Sequence, residues 1–163
     1  MELVKRIKDR SPEYDAQYFQ LILDFTIEQG SSMGTSSEFD RWKQGKFFST
    51  RYEIYIYAAL LGLKKDYSIP IKYGTSKEKF LPISGWKPAE VVDFLILSLI
   101  GKTGISLNEL EDLEEEAVEK YISDLRVKLE GYANGGFDII RSERETDPSF
   151  FESDDCFLDL LDK

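Results

Sequence analysis

Val91-Val-Asp-Phe-Leu-Ile-Leu-Ser-Leu-Ile100 is the most apolar run of the chain, and Pro88, three residues ahead of it, suits the start of a helix. Its eight apolar side chains surround a helix nearly completely, so the sequence predicts that this segment sits in the middle of the core. Asp93 and Ser98 interrupt it, and its length is about half the ~20 residues that a bilayer span requires. It therefore reads as a buried helix, and no membrane is expected as a partner.

Working outward, the neighbouring segments carry the same period. After it, Ser106-Leu-Asn-Glu109 has the form of a capping box, and Leu107, Leu110, Val118, Tyr121, Leu125 and Leu129 continue an amphipathic stripe, with a break near 112–116. Asn134-Gly135-Gly136 is expected to end that helix, since glycine adopts positive φ without strain. Before it, Ser49 is expected to cap a helix from about Thr50 to Leu61 that stops at Gly62, with Ala58 and Ala59 allowing close approach. Residues 63–82, punctuated by Pro70, Gly74 and Pro82, read as a connector with at most short extended pieces. Nearer the amino end, Ser11-Pro12 is expected to open a helix that stops at Gly30, followed by a 30–37 loop rich in serine. At the other end Asp147-Pro148 is expected to open a short helix carrying Phe150, Phe151, Phe157, Leu158 and Leu161 on one side. The fold class that follows is mainly α: a compact single helical domain with a central buried helix and few or no short strands. Residues 1–146 form the domain, and 147–163 an acidic-aromatic terminal helix or tail.

A length of 163 residues with 42% hydrophobic side chains suits one domain with a sizeable core. The chain has no histidine, which excludes Ser-His-Asp and Cys-His catalysis and histidine metal sites within it. A single cysteine, Cys156, forms no internal disulfide, and the amino end lacks the apolar run of a secretory signal, so a cytoplasmic protein is expected. The formal charge of −10 opposes a surface that tracks phosphates throughout. That charge is uneven: residues 1–80 carry 13 basic and 11 acidic side chains, and 81–163 carry 8 and 20, which suggests that the two halves face different partners.

Several short motifs invite a chemical reading. Gly101-Lys102-Thr103 imitates the end of a phosphate-binding loop but follows a helix instead of a strand and lacks the upstream glycine, so a helix stop is expected. The acids at 111–119 form no fixed ligand set and read as a solvated face. No catalytic residue, cofactor or metal is assigned, and the chain reads as a non-enzyme. Phe39-Asp-Arg-Trp-Lys-Gln-Gly-Lys-Phe-Phe48 with Arg51 mixes basic and aromatic side chains, the combination that grips phosphates while stacking bases. Arg41, Trp42, Lys43, Lys46 and Arg51 are the nucleic-acid candidates within the basic-aromatic region 39–55; the alternative reading of the same aromatics is core. In the tail, Phe150, Phe151, Phe157 and Leu158 either dock another protein or pack on their own domain.

Glu130-Gly-Tyr-Ala-Asn-Gly-Gly-Phe-Asp-Ile-Ile140 resembles the Glu-Glu-Tyr-Ala-Asn-Gly-Gly-Leu signature of the DNA phosphorothioation (dnd) system-associated protein 4 family, departing from it at Gly131. Tyr55-Ile-Tyr-Ala-Ala-Leu-Leu-Gly-Leu-Lys64, within Phe47 to Pro70, is similar to that family's Ala-Ala-x-Leu-Gly segment followed by a basic stretch and a proline. The likeness spans roughly residues 45–140 in family order. It implies a small accessory protein, adaptor or regulator, of a bacterial DNA-modification or antiphage defence system, working through contacts with another protein of that system. It implies no reaction and carries over no catalytic residue. The alternative function is a DNA-binding module using the basic-aromatic region.

Overall fold

A computed structural model of the chain describes residues 2–27 and 46–163. Among the described residues it is mainly α, with seven α-helices and one two-stranded sheet. In chain order these are α1 (Glu2–Lys8), β1 (Glu13–Asp15), α2 (Phe19–Phe25), α3 (Arg51–Lys64), β2 (Lys77–Lys79), α4 (Ala89–Thr103), α5 (Leu107–Glu111), α6 (Glu115–Thr146) and α7 (Cys156–Asp162). Short 3-10 turns precede α2, α4 and α7. The 30–37 loop and the stop at Gly30 lie outside the described residues.

The central buried helix is α3, not the Val91–Ile100 segment. Ile54, Tyr55, Ile56, Ala58, Ala59, Leu61, Gly62 and Leu63 are all buried, because α3 lies along α6 in the most extensive contact of the molecule. In α4, by contrast, Val92, Leu95, Ile96, Leu99 and Ile100 are buried while Phe94 and Leu97 face outward. A helix that is apolar nearly all round has thus been covered on one side only.

α3 begins where Thr50, one residue after the expected Ser49, accepts a hydrogen bond from the Glu53 amide, and Glu53 reciprocates by accepting from the Thr50 and Ser49 amides. It runs through Gly62 to Lys64, and the chain leaves it through Asp66, whose φ of 51° is the left-handed turn, with the Tyr67 amide donating back to the Gly62 carbonyl. The Ser106 capping box forms as expected. α4 extends through Gly101-Lys102-Thr103 and stops at Gly104, φ 73°.

The largest departure concerns Asn134-Gly135-Gly136, which lies inside the 32-residue α6 instead of ending it. Residues 129–137 are buried without interruption, since α3 covers one side of the helix and residues 67–69, with β1, cover the other. A Cβ on Gly136 would overlap the Ala58 carbonyl, one on Gly135 the Tyr67 carbonyl, and one on Gly62 the Tyr132 carbonyl. The glycines here buy backbone contact, not a turn.

The carboxyl segment closes the core. Phe157 is buried with its ring 4.9 Å from Phe48, 5.1 Å from Tyr57 and 5.3 Å from both Phe25 and Phe47. Cys156 and Leu160 are buried beside it, and the Tyr57 hydroxyl donates to the Phe157 carbonyl at 2.6 Å. Burial pushes the Cys156 thiol up to about 11, which leaves it an inert core group.

The charge asymmetry is partly spent inside the chain. Arg6 of α1 binds Glu115 and Glu119 of α6, Arg10 reaches Glu119 at 2.6 Å, and Lys8 reaches Asp93 of α4 at 2.5 Å. The basic amino end thus docks α1 onto the acidic second half.

Gly136→Ala should lower the unfolding free energy by about 3 kcal/mol or prevent folding, because overpacking against rigid backbone has no flexible partner to move. Gly85→Ala, where a Cβ meets nothing, should change it by less than about 0.5 kcal/mol in the same urea titration. Phe157→Ala should cost about 3–5 kcal/mol, and truncation after Thr146 should leave the remainder without a cooperative thermal transition.

Candidate functional site

The signature-like segment of α6 organises the sheet. Along β1 and its two flanking residues, 12, 14 and 16 turn their backbone towards β2: the Phe80 amide donates to the Pro12 carbonyl and the Ala16 amide to the Ser76 carbonyl, with Tyr14 opposite Glu78. The intervening residues face α6 and α3. The Glu13 amide donates to the Glu130 carboxylate at 3.0 Å, the Asp15 amide to Asn134 Oδ1 at 3.2 Å, and the Tyr55 hydroxyl to the Glu13 carbonyl at 2.9 Å. Asn134 Nδ2 donates to the Ile69 carbonyl at 3.2 Å, and the Ile69 amide donates to the Gly131 carbonyl at 2.9 Å. Glu130 and Asn134, one helical turn apart, therefore act as a third strand towards β1. Burial pushes the Glu130 carboxyl above the usual glutamate range, while the Glu13 amide and Arg126, at 3.2 Å, favour its charged form.

β2 has the opposite arrangement. Lys77 and Lys79 direct their backbone groups away from β1, and among the described residues these groups have no hydrogen-bond partner. Beside that open edge lies a cleft of about 520 Å³ with an aromatic floor of Tyr14, Tyr52, Phe80 and Trp86. The rings support one another: Tyr14 to Phe80 is 5.2 Å, Phe80 to Trp86 6.1 Å, and Tyr52 stacks on Trp86 at 6.4 Å with planes 8° apart. The Trp86 indole donates to the Leu81 carbonyl at 3.2 Å, which ties the backbone at Leu81, whose side chain is exposed, to the cleft floor. Arg51 and Lys79 supply positive charge at the rim and Glu78 one negative charge. Arg51 sits in the first turn of α3 with its guanidinium 5.4 Å from the centre of the Phe19 ring, and desolvation raises the Tyr14 phenol to about 12, so it stays protonated.

Among the described residues, Arg51 is the nucleic-acid candidate that lines this cleft. Lys46 donates to the Leu23 carbonyl at 2.7 Å and ties residues 46–48 to α2, and Phe47 and Phe48 pack against the core as the alternative reading had it. Arg41, Trp42 and Lys43 lie outside the described residues. Of the tail candidates, Phe157 is buried in the chain's own core, Phe150 and Phe151 are half-buried against it, and Leu158 is exposed. Lys102 pairs with Asp66 at 2.9 Å, and Thr103 bonds the Ile100 carbonyl and the Tyr121 hydroxyl, so the phosphate-loop look-alike is a helix end. Of the 111–119 acids, Glu115 and Glu119 are arginine-paired, and among the described residues no cluster of potential metal ligands forms. No described helix is long and apolar enough to cross a membrane.

Sequence reasoning did not find the cleft, because Tyr14, Arg51, Lys79 and Trp86 come from four separate segments. The signal present was the Lys77-Glu-Lys-Phe80 alternation, too short to mark an edge strand. The chain matches no protein-family model, and no curated protein and no solved structure is similar to it.

Because the folded carboxyl of Glu130 holds its proton to higher pH than the unfolded one, its contribution to stability should fall as pH rises from 4.5 through the raised value. Glu130→Gln, which keeps an acceptor for the Glu13 amide, should gain stability relative to the parent chain across that window. Glu130→Ala, which orphans the amide, should lose about 1–3 kcal/mol at either end of it. Urea titrations of the three proteins at pH 4.5 and above read both effects.

Proposed function

We propose that this chain is a non-catalytic accessory protein, an adaptor or regulator of a bacterial DNA-modification or antiphage defence system, that acts by capturing an extended segment of another protein of that system. The observation that carries the reading is the edge of β2 that has no pairing partner among the described residues, beside the aromatic cleft. A peptide pairing with Lys77 and Lys79 gains backbone hydrogen bonds, and every second side chain of it is presented to one face of the sheet. The half-buried rings of Tyr52 and Phe80, backed by the buried Trp86, suit an apolar or aromatic residue, and Arg51 and Lys79 suit an acidic one. The resemblance at 130–140 is the support for naming that system, and the role of Glu130, Asn134 and the glycines in building the β1 support gives those residues a reason to occur together.

The alternative, a DNA-binding module, draws support from the same rim, where Arg51 and Lys79 line a cleft that also holds the stacked Tyr52 and Trp86 rings. Co-expression with the products of the genes adjacent to its own, followed by affinity purification, separates the two. Arg51→Glu with Lys79→Glu should abolish capture of the neighbouring protein while the melting temperature holds within a few degrees. Binding of a DNA duplex that weakens steeply with salt, in place of capture, would transfer the cleft to the alternative.

A further inference from the structure

The two faces of the β1–β2 sheet differ in chemistry because side chains alternate along each strand. Tyr14 and Glu78 pair directly and share one face with Phe80, whose ring lies 5.2 Å from that of Tyr14 and lines the cleft. Glu13, Asp15, Lys77 and Lys79 project from the other face. There Glu13 stands directly opposite Lys79, yet its carboxylate reaches diagonally to Lys77 at 2.8 Å. Lys79 is left exposed at the rim, with no ion-pair partner among the described residues. Its backbone and that of Lys77 form the edge that no described residue pairs.

Resting on the proposal that this edge captures an extended segment of another protein, we infer what that segment carries: it runs antiparallel to β2, with an aromatic residue opposite Phe80 followed at once by an acidic residue opposite Lys79. The antiparallel sense continues the ladder that β1 and β2 already form, and it is the more stable per residue. Phe80 gives its amide to Pro12, so the residue facing it from the open side belongs to a non-hydrogen-bonded pair, where side chains stand closest. That residue turns into the cleft beside the rings of Phe80 and Tyr52. Its successor turns to the outer face, beside the unpaired Lys79 ammonium. An acid two residues further on, opposite Lys77, gains less, because Glu13 already holds that ammonium. A second copy of this chain is a poor occupant. Antiparallel pairing of β2 with itself sets Lys77 of each copy against Lys79 of the other and Glu78 against Glu78, and like charges directly opposite destabilise a sheet.

Magnetic resonance titration of the full chain with short threonine-rich peptides reads affinity and place together, through the amides of Lys77 and Lys79. A peptide with Phe-Glu at its centre should shift both amides and bind about threefold or more tightly than one with Phe-Lys, although the net charge of −10 favours the lysine peptide. It should also bind more tightly than peptides of the same composition that carry Glu-Phe or Phe-Thr-Thr-Glu. Lys79→Glu, at an exposed position, should invert the preference between Phe-Glu and Phe-Lys. A preference that Lys79→Glu leaves unchanged, tighter binding of Glu-Phe, or no binding of any peptide at millimolar concentration would each overturn the inference. Co-purification keeps the two levels apart. A neighbouring protein captured through Arg51 and Lys79, together with peptides that show no charge order, defeats this inference alone, whereas salt-sensitive DNA binding in place of capture defeats the underlying proposal and this inference with it.

Discussion

The backbones of α3 and α6 touch. At Gly136 the helix axis comes close enough to Ala58 that even a methyl group has no room, and at Gly62 the reverse contact is made against the Tyr132 carbonyl. Each glycine inside a helix costs about 0.5–1 kcal/mol relative to alanine, and the cost is accepted because the contact brings two dense rows of side chains together. Tyr55, Leu61, Ile122, Leu125, Ala133 and Phe137 are all buried around this crossing. Remove the contact and α3 would be held away from α6 by a side-chain layer. Residues 67–69 would then lose the flat surface at Gly131 and Gly135 on which they lie.

That surface supports the sheet. A two-stranded sheet is marginal by itself, and β1 and β2 are three residues each. β1 persists because its second edge is satisfied by Glu130, Asn134 and Tyr55, groups that reach it only because α3 and α6 are packed so closely. The order of dependence runs from glycine contact to helix spacing, from spacing to the clamp on β1, and from β1 to the position of β2 and the cleft beside it. A buried carboxylate is an expensive clamp. Arg126 and the Glu13 amide offset the cost of keeping Glu130 charged, and a neutral acceptor would serve the same geometry with less penalty.

How much of this was legible in the sequence depends on whether the deciding partner was local. The Ser106 capping box, the Pro88 helix start, the break after Glu111 and the small alanines of α3 were all readable, since each is settled within a few residues. Asn134-Gly135-Gly136 was read as a stop because glycine has two uses in helices, and only Ala58 and Tyr67, some seventy residues upstream, reveal which applies. Val91–Ile100 was read as central because all-round apolarity normally means all-round burial; no local signal says that one side is left open. Phe157 and Phe48 both read as core or contact residues, and only their 4.9 Å approach decides between the two. The cleft was invisible for the same reason: it is made by tertiary neighbours.

The residues that most resemble a family signature thus lie in the interior, and their polar atoms are occupied by backbone. Whatever this protein recognises must be read by what the interior leaves outside, and two exposed features stand out there: the β2 edge with its aromatic cleft, and the outer stripe of α4. They are joined by two residues, since Trp86 in the cleft floor is followed by Lys87 and Pro88 at the start of α4. The cleft floor and the first turn of α4 are thus one continuous stretch of chain, and the exposed stripe of α4 begins where the cleft ends.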